Sequence, residues 1–180
     1  MILSRLNRYE DPKGKVYAIY DQNLMNKDMG IFNKDAPDAN YMVLTSDNKA
    51  PCLEAGQLVF NTISGECAIV SEEHSGAILP YNFTRIEVDK SRIYPRYLMY
   101  WFNQSPQALK QLHLFKQGGS MIKKITHHQL QELEISLPPL EKQKVIGNLA
   151  YKRTKLKYLK DRRAYLMDQY LSAIIFKEEQ

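Results

Sequence analysis

The residues with chemistry to offer gather in two short polar runs and one arginine. Residues 117–124 read Gln117-Gly118-Gly119-Ser120-Met121-Ile122-Lys123-Lys124 and follow Lys116, so an amide, a hydroxyl, two glycines and three cations fall close together. Backbone amides that glycine leaves free to approach an anion, with lysines beside them, make a candidate phosphate clamp. The run is not a P-loop, because Gly-x-x-x-x-Gly-Lys-Ser/Thr is absent, and a plain flexible connector is the competing reading. The second run, Asn61-Thr62-Ile63-Ser64-Gly65-Glu66, joins Leu58-Val59-Phe60 to Ala68-Ile69-Val70, two β-rich segments that read as a hairpin-like pair. The Asn61 amide and the Thr62 and Ser64 hydroxyls suit hydrogen bonds to base edges, although polar hairpin tips are common on any protein. Arg85 lies in Phe83-Thr84-Arg85-Ile86-Glu87-Val88, whose alternation predicts a strand with Arg85 and Glu87 on its outer face.

Catalysis has little foothold. Pro37-Asp38 followed by Asp47-Asn48-Lys49 spells the two-carboxylate-plus-lysine pattern with which magnesium-dependent nucleases hold metal and polarise the attack. Both halves sit in turn-forming sequence and not on strands that would fix metal geometry, so a nuclease is the alternative reading and not the first. His127 and His128 are adjacent and point apart on regular structure, which makes them surface histidines before a metal pair. Cys52 and Cys67 are too few for a zinc site or a disulfide framework and read as buried or idle thiols. A DNA methyltransferase would need an Asn/Asp-Pro-Pro-aromatic loop and a glycine-rich cofactor loop, and Leu137-Pro138-Pro139-Leu140 is no substitute. No catalytic residue, metal ligand or cofactor is expected.

A folded chain has to position these groups. With 180 residues, 44% hydrophobic and 25% charged, the composition suits one globular domain plus an appendage. No apolar run approaches the ~18 residues of a membrane span, and the first five residues lack a secretory apolar core, so cytoplasmic residence without membrane association is expected. Residues 1–50 alternate short apolar pieces with turn-forming sequence and read as strands between surface loops. Residues 16–20 are a candidate buried strand whose tyrosines are core before they are base-stacking groups. Pro95 suits the first turn of a helix with Tyr97, Leu98, Trp101 and Phe102 on one side, and Ser105-Pro106 allows a second start, predicting helices near 95–103 and 106–114.

The rest of the chain is organised around residues 130–146. Ile135 and Leu137 alternate with Glu134 and Ser136, the period of a half-buried strand, until Pro138-Pro139 removes two backbone donors and ends it. From Glu141 apolar residues recur at helical spacing to about Phe176, on the order of 50 Å of helix at ~1.5 Å per residue. Within it Val145, Leu149, Lys152, Leu156, Leu159, Arg163, Leu166, Tyr170 and Ala173 are spaced alternately by four and three, the knobs-into-holes spacing of a coiled coil. A helix lying on its own domain is the competing reading. Charge divides at the same place: residues 1–138 carry 15 basic and 15 acidic side chains, residues 139–180 carry 10 basic and 5 acidic. The helix holds the whole net charge of +5 and asks for an acidic partner or nearby phosphate, unless it is merely a solvated face.

Leu130-x-x-Leu133-x-Ile135-x-Leu137-Pro-Pro-Leu140-x-x-Gln143-x-x-Ile146, followed by a long basic helix, resembles the end of a target-recognition domain and the spacer helix of the DNA specificity subunit of type I restriction-modification enzymes. Leu53-Glu-Ala-Gly56-Gln57-Leu-Val-Phe60 resembles the Gly-Asp strand start of that family, Pro95-Arg-Tyr97-Leu98-Met-Tyr100 its Pro-x-Tyr-Leu-x-aromatic helix, and Gln117-Gly118-Gly119-Ser120 its Gly-Ser loop. Gln57 stands where the family usually has Asp, and Lys142 where it usually has Glu.

The resemblance implies an α/β (α+β) target-recognition domain with a mixed β-sheet over residues 1–138, then one long coiled-coil helix for spacing and dimerisation over 139–180. It implies binding of double-stranded DNA through Asn61, Thr62, Ser64, Arg85, Lys116, Gln117, Gly118, Gly119, Ser120, Lys123 and Lys124. DNA methyltransferase (modification) subunits, and restriction subunits with them, are the implied partners, and all catalysis belongs to those partners. Since family members carry two recognition domains and two spacer helices, one of each resembles a half-subunit. It is expected to homodimerise through Val145, Leu149, Leu156, Leu159, Leu166, Tyr170 and Ala173 and to read an inverted repeat. A free-standing decoy that titrates subunits is the third reading.

Overall fold

The computed structural model describes residues 14–37, 39–44, 50–116 and 124–178. In chain order its elements are β1 (Lys15–Ala18), α1 (Gln22–Met29), β2 (Tyr41–Leu44), β3 (Leu58–Asn61), β4 (Cys67–Ile69), β5 (Phe83–Ile86), α2 (Pro95–Gln104), α3 (Pro106–Phe115), α4 (His127–Gln131) and α5 (Leu140–Glu178). All four residues of β3 are buried, because it is the central strand of the antiparallel sheet β4-β3-β5 and has apolar layers on both faces. Val59 faces the layer of Tyr20, Leu24, Met25, Leu53 and Phe83, while Leu58 and Phe60 face Trp101, Phe102, Leu112 and Ile125. That alternation within one strand joins α1 on one side of the sheet to α2 and α3 on the other. The fold is mixed α/β; both ladders are antiparallel, and parallel pairing among the described residues is confined to the bridge between Ile19 and Ile78.

The helices near 95–103 and 106–114 are present as α2 and α3, each with proline in its first turn. The hairpin is present as β3 and β4, with Val59 opposite Ala68. Three expectations need correction. Residues 1–50 are not all strands and loops: Asp21 accepts hydrogen bonds from the Asn23 and Leu24 amides at 2.9 and 3.0 Å and starts α1, which Gly30 ends at φ +74°. Residues 16–20 do not form a buried strand, because among the described residues β1 pairs with β2 alone and leaves Val16 60% exposed; Tyr20, beyond the strand, is the fully buried residue. Residues 133–139 do not form a strand. The Gln111 side chain replaces the missing ladder, donating to the Glu134 carbonyl at 2.8 Å and accepting the Glu134 N–H at 2.9 Å.

The long helix α5 has 39 residues, about 58 Å at ~1.5 Å rise per residue. Its first turns are locked to the globule. Gln143 is buried, accepting the Tyr94 N–H at 3.0 Å and donating to the carbonyls of Arg92 and Pro138, both at 2.9 Å. One turn on, Gly147 lets α2 approach so closely that an added Cβ would stand 2.6 Å from the Tyr97 nitrogen. Asn148 then accepts hydrogen bonds from the Tyr94 hydroxyl at 3.0 Å and the Arg96 guanidinium at 2.8 Å.

Candidate nucleic-acid interface

The hairpin tip after β3 is built by its own first residue. Asn61 accepts the Ile63 and Ser64 amides at 2.9 and 3.3 Å through Oδ1, and its Nδ2 donates to Gln22 of α1 at 2.7 Å. Thr62 donates its hydroxyl to the Asn82 carbonyl at 2.8 Å. Both side chains are buried, at 4% and 3% exposure, so they shape the tip from within, and the expectation that they reach base edges meets side chains already spent on the protein. Ile63 and Ser64 are the outward residues, with Ile63 41% exposed. Gly65 turns the chain at φ +80°, where a side chain would be strained and would also crowd the Lys116 ammonium.

The residues that flank the 117–124 run both meet the tip. Lys116, at the end of α3, donates from Nζ to the Ser64 carbonyl at 2.6 Å. Burial holds its ammonium below the ordinary lysine range, with the Glu66 carboxylate pulling the other way. At the far end of the run the Ile125 amide donates to the Thr62 carbonyl at 2.8 Å, and Ile125 is itself wholly buried. The chain therefore leaves the tip at 116 and returns to it at 125. Gln117, Gly118, Gly119, Ser120 and Lys123, between these anchors, lie outside the described residues, as do Asp38, Asp47, Asn48 and Lys49 of the nuclease-like pattern. Lys124 donates to the Tyr81 carbonyl at 3.2 Å, with its Nζ 5.1 Å from the centre of the Tyr81 ring, and that ring is 55% exposed. Arg85 is exposed on β5 and donates to the Cys52 carbonyl at 2.6 Å.

Two connections went unread in the sequence. Gln22 donates to Glu66 at 2.8 Å as well as accepting from Asn61, so α1 supports the tip; the Asp21 cap would have revealed the helix but not this contact. Asp28 accepts the Tyr20 hydroxyl at 2.7 Å, and its other oxygen lies 2.7 Å from His74 Nδ1. Burial and the Asp28 carboxylate push the Tyr20 phenol far up. Ser71 Oγ lies 3.3 Å from that same Nδ1, so the hydroxyl and the carboxylate share one ring nitrogen and cannot act as a nucleophile-activating triad, which needs them on opposite nitrogens. His127 and His128 are exposed on α4, and Cys67 is buried with its thiol pushed up by that burial. Among the described residues no group of three His, Cys, Asp or Glu is placed to hold a metal ion, and no helix is long and apolar enough to cross a membrane.

The helix α5 has two working faces. Gln143, Gly147, Thr154, Tyr158 and Tyr165 turn toward the globule and are buried or half-buried. The seam residues Val145, Leu149, Leu156, Leu159, Leu166 and Tyr170 are 49–67% exposed, and Ala173 is exposed with them. Two residues separate Gln143 from Val145 and Gly147 from Leu149, about 200° of helical turn, which sets the two rows on opposite sides there; Leu159 and Leu166 follow Tyr158 and Tyr165 by one residue, about 100°, and Leu159 lines the cleft between α5 and α1. The helix lies on its own domain as far as Tyr165, and its heptad row is exposed.

The model of the type I restriction modification DNA specificity domain family matches residues 7–149. No curated protein matches the chain. Among solved structures, a chain from a study of complex assembly and conformational transition of the type I R-M system superposes with a TM-score of 0.61 at 16% identity, over 88% of this chain and 41% of that one. The HsdS subunit from Thermoanaerobacter tengcongensis superposes with a TM-score of 0.56 at 18% identity, over 90% of this chain and 40% of that one. The chain thus spans about 40% of the length of these structures, and at such identities the likeness is one of fold.

Proposed function

Because the chain belongs to the family of type I restriction modification DNA specificity domains, we propose that it is a sequence-specific DNA-recognition module with no catalysis of its own. The observation that carries the proposal is the convergence at the hairpin tip. Lys116 and Ile125, which flank the glycine- and lysine-bearing run, both bond to the tip carbonyls, and these anchors support a reading in which the run and the outward tip residues act together. In this reading Lys123 and Lys124 engage phosphates, residues 117–120 and Ser64 approach the duplex, and Arg85 contributes charge beside them. Asn61, Thr62 and Lys116 hold the surface in shape.

Residues 1–138 serve recognition and residues 139–180 serve spacing and assembly. The exposed apolar seam supports pairing with a second copy, antiparallel, in a two-fold dimer whose globules read the same sequence on opposite strands. The basic helix, with 10 basic and 5 acidic residues after Pro138, supports an acidic protein neighbour, and modification subunits of a methyltransferase are its candidate. Light scattering of the intact chain on a selected duplex tests the stoichiometry: two chains per duplex are expected, and one chain per duplex at saturation contradicts the dimeric reading.

A further inference from the structure

The helix α5 is fastened to its globule by two different parts of it. The first is α2 with the residue before it, which meets Gln143, Gly147 and Asn148 and, through the Arg96 guanidinium 4.3 Å from the ring centre, Tyr151. The second is made by the segment that leaves α1: Gly30 turns the chain against Thr154, and the Phe32 ring packs on Tyr158 and Tyr165, with centroids 5.9 and 5.6 Å apart. From Gln143 to Tyr165 is about 33 Å of helix at ~1.5 Å per residue. A cleft of about 600 Å³ opens between α1, its following segment and α5, so the globule reaches out to the helix here instead of packing continuously against it. Phe32, Tyr158 and Tyr165 belong to none of the three core clusters that hold the globule together. The contact serves the joint and not the fold.

We propose that Phe32 is a specificity-determining brace, which fixes the angle between the recognition globule and α5 and thereby the number of unread base pairs between two half-sites. The inference rests on the dimeric reading above. A rod held only by its first turns pivots, while a rod held along on the order of 30 Å by two elements keeps its angle. The lever is short: a domain of this size has a radius of gyration on the order of 14 Å. A tilt of about 7° in each of two symmetric protomers therefore moves the contact surfaces by a combined ~3.4 Å, the rise of one base pair. Losing the brace lets that tilt vary and blurs the spacing without touching the residues that face the bases.

The test uses the intact chain and a series of duplexes carrying its selected half-sites, with the spacer varied one base pair at a time. The unaltered protein is expected to prefer one spacer over its neighbours by tenfold or more. Phe32→Ala is expected to reduce that discrimination to threefold or less with the same preference for half-site bases, and Tyr165→Ala should do the same from the helix side, where no core residue is disturbed. Undiminished spacer discrimination in both variants overturns the brace. If the unaltered protein selects no paired half-sites, the dimeric reading fails first and the brace with it, a result the variants are not needed to recognise.

Discussion

Gln143 of the long helix meets the backbone of Tyr94 across the joint with the globule, accepting its N–H at 3.0 Å while donating to the carbonyls of Arg92 and Pro138 at 2.9 Å. No other side chain of that size satisfies one donor and two acceptors at once. Gln143→Ala should cost roughly 2–4 kcal/mol, since buried backbone groups lose their partners. Gln143→Glu should be no milder, because a carboxylate keeps the acceptor and loses both donations in a buried site. Urea unfolding monitored by circular dichroism reads this directly, and an unchanged midpoint for Gln143→Ala would show that the joint is not held there.

Gly147→Ala tests the same joint through sterics. Alanine favours a helix by about 1 kcal/mol over glycine. Here the added methyl would stand 2.6 Å from the Tyr97 nitrogen and 2.8 Å from the Arg96 carbonyl carbon, and backbone cannot step aside as a side chain can. The expected net effect is a loss of about 1–3 kcal/mol as α2 and α5 are forced apart. A stabilised Gly147→Ala variant would mean the helices sit further apart than described.

Charge and shape at the hairpin tip separate in solution. Neutralising Lys123 and Lys124 together should weaken binding to all duplexes and flatten the log–log salt dependence by about 1.8, at ~0.9 per phosphate contact. Asn61→Ala should lower the melting temperature and reduce affinity for every sequence alike, because Asn61 is a buried frame of the tip. A variant that keeps its stability and changes base preference would restore Asn61 to direct readout.

Leu156→Glu with Leu166→Glu places like charges on the free face of α5, where the native side chains are 54% and 51% exposed. Sedimentation velocity should then show a monomer in place of a dimer, with the thermal midpoint of the globule within about 2 °C of the unaltered protein, since exposed substitutions rarely cost more than ~0.5 kcal/mol. Truncation before Val145 is a poorer probe. It would also strip away Gly147, Asn148 and Tyr158, which pack on the globule.

What could be read in the sequence was what local rules govern. Pro95 and Ser105-Pro106 marked α2 and α3, and the apolar runs on either side of residues 61–66 marked the hairpin. Alternation at Ile135 and Leu137 predicted a strand that is absent, because alternation is the same whether the hydrogen bonds go to a neighbouring strand or, as here, to the Gln111 side chain. The helix α1 is poorly legible because its apolar pattern is weak, although Asp21 and Gly30 mark its ends. Asn61 looked like a surface amide because hydrogen-bond partners 39 residues away, such as Gln22, leave no mark on local sequence. The two rows of α5 were half legible: the heptad was visible, and the opposite row was not, because its glycine, threonine and tyrosines acquire meaning only against α2 and Phe32.

The most direct measurement of the central claim is selection of binding sites by the intact chain from random double-stranded DNA, with and without a methyltransferase subunit. Two identical half-sites in inverted orientation around an unread spacer of roughly one to one and a half duplex turns, at about 34 Å per turn, are the predicted result. Enrichment of a single asymmetric site in both conditions, or of no sequence at all, would contradict it.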